Sequence, residues 1–472
     1  MELKQYYLGC LAHASYLIAD ETSREAAIVD PQRDVDQYLA DAADRGYRIK
    51  YVVLTHFHAD FVAGHIELRD RTGAEIVLGS RAQADFPFLP AHDGQTLRLG
   101  EVRLEVMETP GHTPEGISML VYDPAKSPED PYAVLTGDTL FIGDVGRPDL
   151  LASIGVTADE LADMLYASVG RLRDLPDATL VYPAHGAGSM CGKNLSRETV
   201  STIGEQKRIN YALQPMSAEQ FRDMVTVDQP EAPDYFVYDA IKNRQELQGL
   251  EASLERALRP LSVDDALAAM EAGAQTLDVR EAADFERGSL RGAINVGLGG
   301  KYATWCGTVL RHDAPIVVIA EPGEEEEAIM RLGRIGFDNA IGYLGQGVEA
   351  LRDRPELLAE FPRLTAVEVQ AMRDGGVPFT LLDVRTLKER EAGLIEGSVS
   401  APLNRLAKEI DAAPRELPIV VHCEGGYRSA IACSLLARAG YADVSDMIGG
   451  FKAWTASGLP ASTTGDAAAC GS

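Results

Sequence analysis

Cysteine, tryptophan and positive charge are scarce in this chain. Six cysteines (Cys10, Cys191, Cys306, Cys423, Cys433 and Cys470) are scattered over 472 residues. That excludes a disulfide-stapled scaffold and fits a reducing, cytoplasmic setting. Lys and Arg number 44 against 72 Asp and Glu, a formal net charge of −28. Such a surface repels phosphate backbones and anionic lipid, so neither nucleic acid nor a membrane is an expected partner. No apolar run reaches the length of a bilayer span, and Met1 to Leu8 is too short and mixed for a signal peptide. The remaining composition, 46% hydrophobic and 25% charged, is that of a globular protein. At this length about two to four domains are expected rather than one core.

What is present begins with Thr55-His56-Phe57-His58-Ala59-Asp60, at the end of the apolar, β-branched strand Ile49 to Leu54. Imidazole and carboxylate on one tight loop suit zinc, iron or manganese. Three further segments follow, each after its own short apolar strand: Thr109-Pro110-Gly111-His112-Thr113, Thr136-Gly137-Asp138-Thr139 and Pro183-Ala184-His185-Gly186. A single histidine beside a strand is usually a hydrogen-bonded core residue, and His13 and His92 are read that way. Six candidate ligands at strand-to-loop junctions (His56, His58, Asp60, His112, Asp138 and His185) are not explained by packing.

This ordered set resembles the metallo-β-lactamase superfamily over about residues 1–245, which implies an αββα sandwich with metal at the sheet edges. The superfamily motif is His-x-His-x-Asp-His, whose last His serves a second metal; here that position is Phe61. A phenyl ring cannot coordinate, which counts against the binuclear hydrolases, hydroxyacylglutathione hydrolase included, and for one metal. The words from Thr55 to His65, from Phe141 to Leu150 (with Arg147) and from His185 to Lys193 (with Cys191) are similar to persulfide dioxygenases fused to rhodanese domains. That resemblance implies one Fe(II) per chain, held by His56, His112 and Asp138. His58, Asp60, His185 and Arg147 then orient ligands, water or substrate, and Cys191 is placed near the iron pocket. Two His and one carboxylate leave open positions for a persulfide and O2, whereas zinc has no redox chemistry to offer.

The second half repeats itself. Thr276-Leu277-Asp278-Val279-Arg280 matches Leu381-Leu382-Asp383-Val384-Arg385 at a spacing of 105, and Glu286, Gly288 and Gly292 match Glu391, Gly393 and Gly397. Strands alternating with helical segments, such as Val263 to Ala272 and Ala430 to Ala439, predict two open α/β domains. The expected organisation is 1–245, a linker at 246–260 within a helical stretch from Asp239 to Arg259, then 261–360, 361–462 and a disordered tail at 463–472.

In the second copy, His422-Cys423-Glu424-Gly425-Gly426-Tyr427-Arg428-Ser429 follows a strand and leads into a helix. Inward N–H groups and a helix N-terminus favour a thiolate at Cys423. Cys-x4-Arg is one residue shorter than the phosphate cradle of cysteine phosphatases, leaving room for a sulfur atom on Cys423. With Ile448 to Trp454, this loop resembles the rhodanese family, which implies Cys423 as nucleophile, Arg428 as its anion partner and Glu424, Gly425, Gly426 and Tyr427 as the cradle. In the first copy the matching stretch, Ala320 to Glu327, holds no Cys and has four consecutive Glu at 324–327, so that copy is expected to be silent.

The expected function is oxidation of a low-molecular-weight persulfide, of glutathione or coenzyme A type, with O2 to sulfite, coupled to sulfur transfer through Cys423 to give thiosulfate. A homo-oligomer is expected. The alternatives are a mononuclear thioester hydrolase with a rhodanese partner, separated by O2 uptake, and a rhodanese half that senses or docks without turnover.

Overall fold

The structure, a computed structural model, describes residues 1–127, 129–150, 155–227, 229, 231–233 and 235–463. The expected tail beyond 463, with Cys470, lies outside the described residues. The chain forms two compact units, Met1–Ala252 with Gly333–Gly336, and Ser253–Leu332 with Phe337–Ser472.

The first unit holds two six-stranded sheets. One runs in chain order from Glu2–Leu8 to Leu89–Ala91; the other runs from Ser201–Thr202 back to Thr96–Leu99. Alternation along the strands sends Tyr16, Ile18, Val29 and Val53 of the first sheet against Leu104, Val106, Met119 and Leu135 of the second, a single buried core. The outer faces are covered by helices. Tyr38 and Leu68, from the helices Asp36–Arg45 and His65–Thr72, pack on one sheet, and Leu165 and Val169, from Ala158–Arg173, on the other. This is the expected αββα sandwich. The ligand-bearing loops leave the ends of Arg48–Val53, Val102–Glu108, Ala133–Gly137 and Leu180–Pro183.

The second unit contains two five-stranded parallel sheets of one topology. The first has the order Pro260–Leu261, Ala340–Leu344, Ile316–Ile319, Gln275–Asp278, Ile294–Asn295; the second Arg363–Leu364, Val444–Met447, Ile419–His422, Thr380–Asp383, Val399–Ser400. The repeated Asp-Val-Arg word is a buried two-point ion pair. Arg280 grips Asp278 with Nε at 3.0 Å and Nη2 at 2.7 Å, and Arg385 grips Asp383 at 3.1 and 2.9 Å. The same guanidinium then donates to the carbonyl of Gly288 or Gly393, at the same place in both repeats.

Two helices differ from expectation. The 246–260 stretch, expected as a linker with helical character, carries the helix Leu250–Ala257, with Leu250 and Ala257 buried. The expected helix from Asp239 is two helices, Tyr235–Lys242 and Leu250–Ala257. The helix after the cysteine loop spans Tyr427–Arg438, three residues earlier than its apolar pattern, because Gly426 takes a φ of 107° and caps it.

Candidate active sites

His56, His112 and Asp138 converge in the first unit, their ligand atoms all within 4.8 Å of one another and all three residues buried. Asp138 Oδ2 lies 3.5 Å from His112 Nε2 and 3.8 Å from His56 Nε2, and it is a buried oxygen with no hydrogen-bond donor. A bare carboxylate oxygen facing two imidazoles in the interior is costly unless a cation completes it. The donor set therefore fits a metal ion.

Hydrogen bonds fix which nitrogen each imidazole presents. His112 Nδ1 donates to the Arg147 carbonyl over 2.9 Å, leaving Nε2 to carry the lone pair. Asp30 receives the Thr55 N–H at 2.7 Å and its hydroxyl at 2.8 Å. Thr55 Oγ1 is thereby turned to accept from His56 Nδ1 at 3.0 Å. Burial holds both imidazoles below their ordinary value, hence neutral. Burial alone would raise the Asp138 carboxyl, but His185 holds it well below the usual range. Gly146 is required here: a Cβ on it would lie 1.9 Å from the Asp138 carbonyl oxygen. Thr55, Thr109, Thr113, Ile117 and Thr139 line the cleft over the ligands.

The other candidates occupy the place beside this triad. His185 Nδ1 donates to Asp138 Oδ1 over 2.8 Å, and its Nε2 is 2.9 Å from Asp60 Oδ2. Burial opposes a charge on His185, but the two carboxylates hold it well above the ordinary histidine value. An imidazolium has no lone pair for a metal. Asp60, His185 and Cys191 form a second convergent group, and burial pushes the Cys191 thiol well up. His58 Nε2 lies 3.1 Å from Asp30 Oδ1, with the Phe61 ring 4.5 Å from its own. The Arg147 guanidinium is held in a fork by Asp149 at 2.7 and 2.6 Å, so its carbonyl is what serves the metal ligands.

Several residues of this site went unread in the sequence. His13 is the hydrogen-bonded core histidine expected, donating from Nε2 to the Asp30 carbonyl at 2.9 Å, and it packs its ring 4.2 Å from Phe61 and 5.3 Å from His185, at the edge of the site. His92, read the same way, is exposed. Asp30 carried a legible signal, an acid ending the apolar strand Glu25–Val29 at the same junction as the metal ligands. Asn243, buried and far along the chain, carried none.

In the second unit Cys423 is buried, and Gly426 N–H donates to its Sγ over 3.1 Å. Its carbonyl accepts from Phe451 at 2.7 Å, and the Glu424 carbonyl accepts from Lys452 at 3.0 Å. Gly450 is needed for this closure, since a Cβ there would lie 2.2 Å from the Cys423 oxygen. Arg428 differs from the expected free anion partner: it forms a two-point pair with Glu389 at 2.8 and 2.5 Å. Burial raises the Glu389 carboxyl, but Arg428 holds it down at about 2. Glu424 lies 3.4 Å from Arg385 Nη1, Gly425 is open, and Tyr427 turns toward the first repeat, its hydroxyl donating to the Gly297 carbonyl. In that first repeat Glu325, Glu326 and Glu327 fill the first helical turn where the cradle would be.

A model of the metallo-beta-lactamase superfamily matches residues 8–185, and one of the rhodanese-like domain matches residues 262–354 and 365–457. The chain is therefore a metallo-beta-lactamase-superfamily protein with two tandem rhodanese-like domains. Within that class it belongs to the persulfide dioxygenase family. It is 32% identical over 231 residues to persulfide dioxygenase ETHE1, mitochondrial, of Bos taurus, covering 47% of this chain and 81% of that protein. It is 33% identical over 224 residues to that of Homo sapiens, covering 46% and 78%. Among solved structures, a metallo-beta-lactamase from Staphylococcus aureus subsp. aureus COL superposes with a TM-score of 0.65 at 30% identity, over 72% of this chain and 98% of that one. Among the described residues no helix is long and apolar enough to cross a membrane.

Proposed function

We propose that the chain is a fused persulfide dioxygenase and sulfurtransferase. Residues 1–245 oxidise a low-molecular-weight persulfide, carried by glutathione or coenzyme A, with O2. Residues 361–462 carry sulfane sulfur on Cys423, and residues 261–360 are catalytically silent. In the first reaction persulfide, one O2 and one water give the thiol, sulfite and two protons. In the second, sulfite takes the outer sulfur of a Cys423 persulfide, the S–S bond breaks, and thiosulfate leaves with Cys423 as thiolate.

The observation that carries the reading is the convergent set of two neutral imidazoles and one bare carboxylate oxygen; in the second convergent group, Asp60, His185 and Cys191, the His185 ring is engaged by both carboxylates. His56, His112 and Asp138 would hold one Fe(II), which when bound supplies the redox exchange with O2 that zinc lacks. The protein fixes ligand tautomers through Thr55 and the Arg147 carbonyl, and holds Asp138 ionised through His185. At the second site Gly426 N–H stabilises negative charge on Cys423.

The test is an oxygen electrode with sulfite and thiosulfate measured together on one defined persulfide. The intact chain is expected to consume O2 and accumulate thiosulfate, and Cys423→Ser to accumulate sulfite for the same oxygen consumed. Thioester hydrolysis without O2 uptake would instead establish the hydrolase reading.

A further inference from the structure

The silent repeat does more than fill space. Its segment from Gly292 to Gly300 lies along the helix Tyr427–Arg438, the helix that begins at the sulfur cradle, and holds it from end to end. In the first turn Tyr427 Oη donates to the Gly297 carbonyl over 2.7 Å. Two turns on, Ser434 Oγ accepts from Asn295 N–H at 3.1 Å, and in the last turn Arg438 Nη1 donates to the Gly292 carbonyl at 3.0 Å. Tyr427 is the anchor nearest the sulfur. It directly follows Gly426, whose N–H points at Cys423 Sγ, yet its side chain leaves the cradle and enters the other repeat. There Gly300 makes the room: a Cβ on it would meet the Tyr427 ring at 2.3 Å. Gly426 itself sits in the left-handed region at a φ of 107° and contributes no side chain to hold its peptide in place.

We propose that Tyr427 is a positioning residue whose docking into the silent repeat anchors the chain just after Gly426 and so fixes the Gly425–Gly426 peptide, whose N–H faces Cys423 Sγ, so that the repeat without a nucleophile serves as the rigid wall of the cradle that has one. A donor must be held to within a few tenths of an ångström to stabilise a thiolate, and a left-handed glycine alone does not hold it. The clasp spans 130 residues of sequence, from Gly297 to Tyr427, and it gives the glycine at 300 a steric role in a copy that has no cysteine at its own cradle. The inference rests on the sulfurtransferase reading of Cys423 for its consequence, although the clasp itself does not.

The experiment uses the intact chain with two readouts: iodoacetamide labelling of Cys423, followed at that peptide by mass spectrometry, and loading of Cys423 from thiosulfate with sulfite release. Tyr427→Phe keeps the ring and loses the bond to Gly297. It is expected to slow both readouts by about tenfold, the loss of one oriented donor contact, with the melting temperature unchanged. Gly300→Ala, in the other repeat, is expected to produce the same defect by displacing the ring. In a Tyr427→Ala background Gly300→Ala should cost nothing further, because the contact is already gone. Additive losses, or full labelling rates in Tyr427→Phe and Gly300→Ala, overturn the proposal. A parent chain that labels normally but never loads from thiosulfate overturns the sulfurtransferase reading instead, while the labelling series still decides the clasp.

Discussion

Asn243 holds the main chain of the metal loop at His58, its Nδ2 donating to the His58 carbonyl over 2.8 Å. The same amide donates to the Phe61 carbonyl at 2.8 Å, and Oδ1 accepts from Ala63 N–H at 2.8 Å. One buried side chain thus satisfies three backbone groups of the loop that carries His56, which would otherwise be stranded without water.

Asn243→Ala is therefore expected to leave those groups unsatisfied, at a cost on the order of 3 kcal/mol. Because the strain falls on the ligand loop, metal should be lost before the fold. Metal content after dialysis against a mild chelator, with circular dichroism alongside, checks this. Full metal retention would show that the loop is held by its own strand.

Metal content also tests the ligand set. The purified chain should hold about one iron per chain. His112→Ala or Asp138→Ala should abolish both iron retention and O2 uptake, each deleting one of three ligands. Two zinc ions per chain with full activity would contradict the assignment, since Phe61 offers no donor and His185 is engaged by Asp60 and Asp138.

The cysteines divide by environment. Cys191 is buried beside Asp60 and Asp138, and burial together with those acids keeps it a thiol. Cys423 has an N–H aimed at its sulfur. Cys191→Ser should leave sulfur transfer intact, whereas Cys423→Ser should remove it, because a hydroxyl in that loop stays protonated. Residual transfer in Cys423→Ser, read as thiocyanate formed from thiosulfate and cyanide, would make another cysteine the carrier.

The six candidate ligands and the tandem open α/β domains were legible because each depends on a short local word at a strand end, where periodicity and ligand chemistry coincide; the sandwich and the choice of His56, His112 and Asp138 among the six came from the family resemblance. What escaped reading was pairwise and distant. Asn243 on the metal loop, Tyr427 in the other repeat and Glu389 on Arg428 are each set by packing that no local pattern records. Arg428 shows the limit clearly. Its spacing from Cys423 was readable, but the acid that neutralises it is 39 residues upstream and serves first to cap its own helix. The helical span from Asp239 to Arg259 failed for the opposite reason. Charge and helix propensity run through it, yet the Asn243 amide bonds to the metal loop, and the helix stops at Lys242.

Glu286 and Asp446 form a buried pair of carboxyls between the two repeats, with Arg363 Nε 2.7 Å from Glu286 Oε2. Burial raises both carboxyls above the ordinary range, and Asp446 raises Glu286 further. The folded state therefore keeps a proton here that the unfolded chain releases. A carboxyl raised in this way contributes stability that is fully present below its unfolded value and is lost as pH rises through the folded one. The intact chain should accordingly lose melting temperature between about pH 5 and about pH 9 in the part of its unfolding that reports the second unit. Glu286→Gln resembles the protonated carboxyl and cannot ionise, so its melting temperature should fall less over the same range. The two curves should converge at the acid end, where Glu286 is protonated in either state. Parallel curves across the whole range would mean that both carboxyls stay ionised and that Arg363 alone balances them.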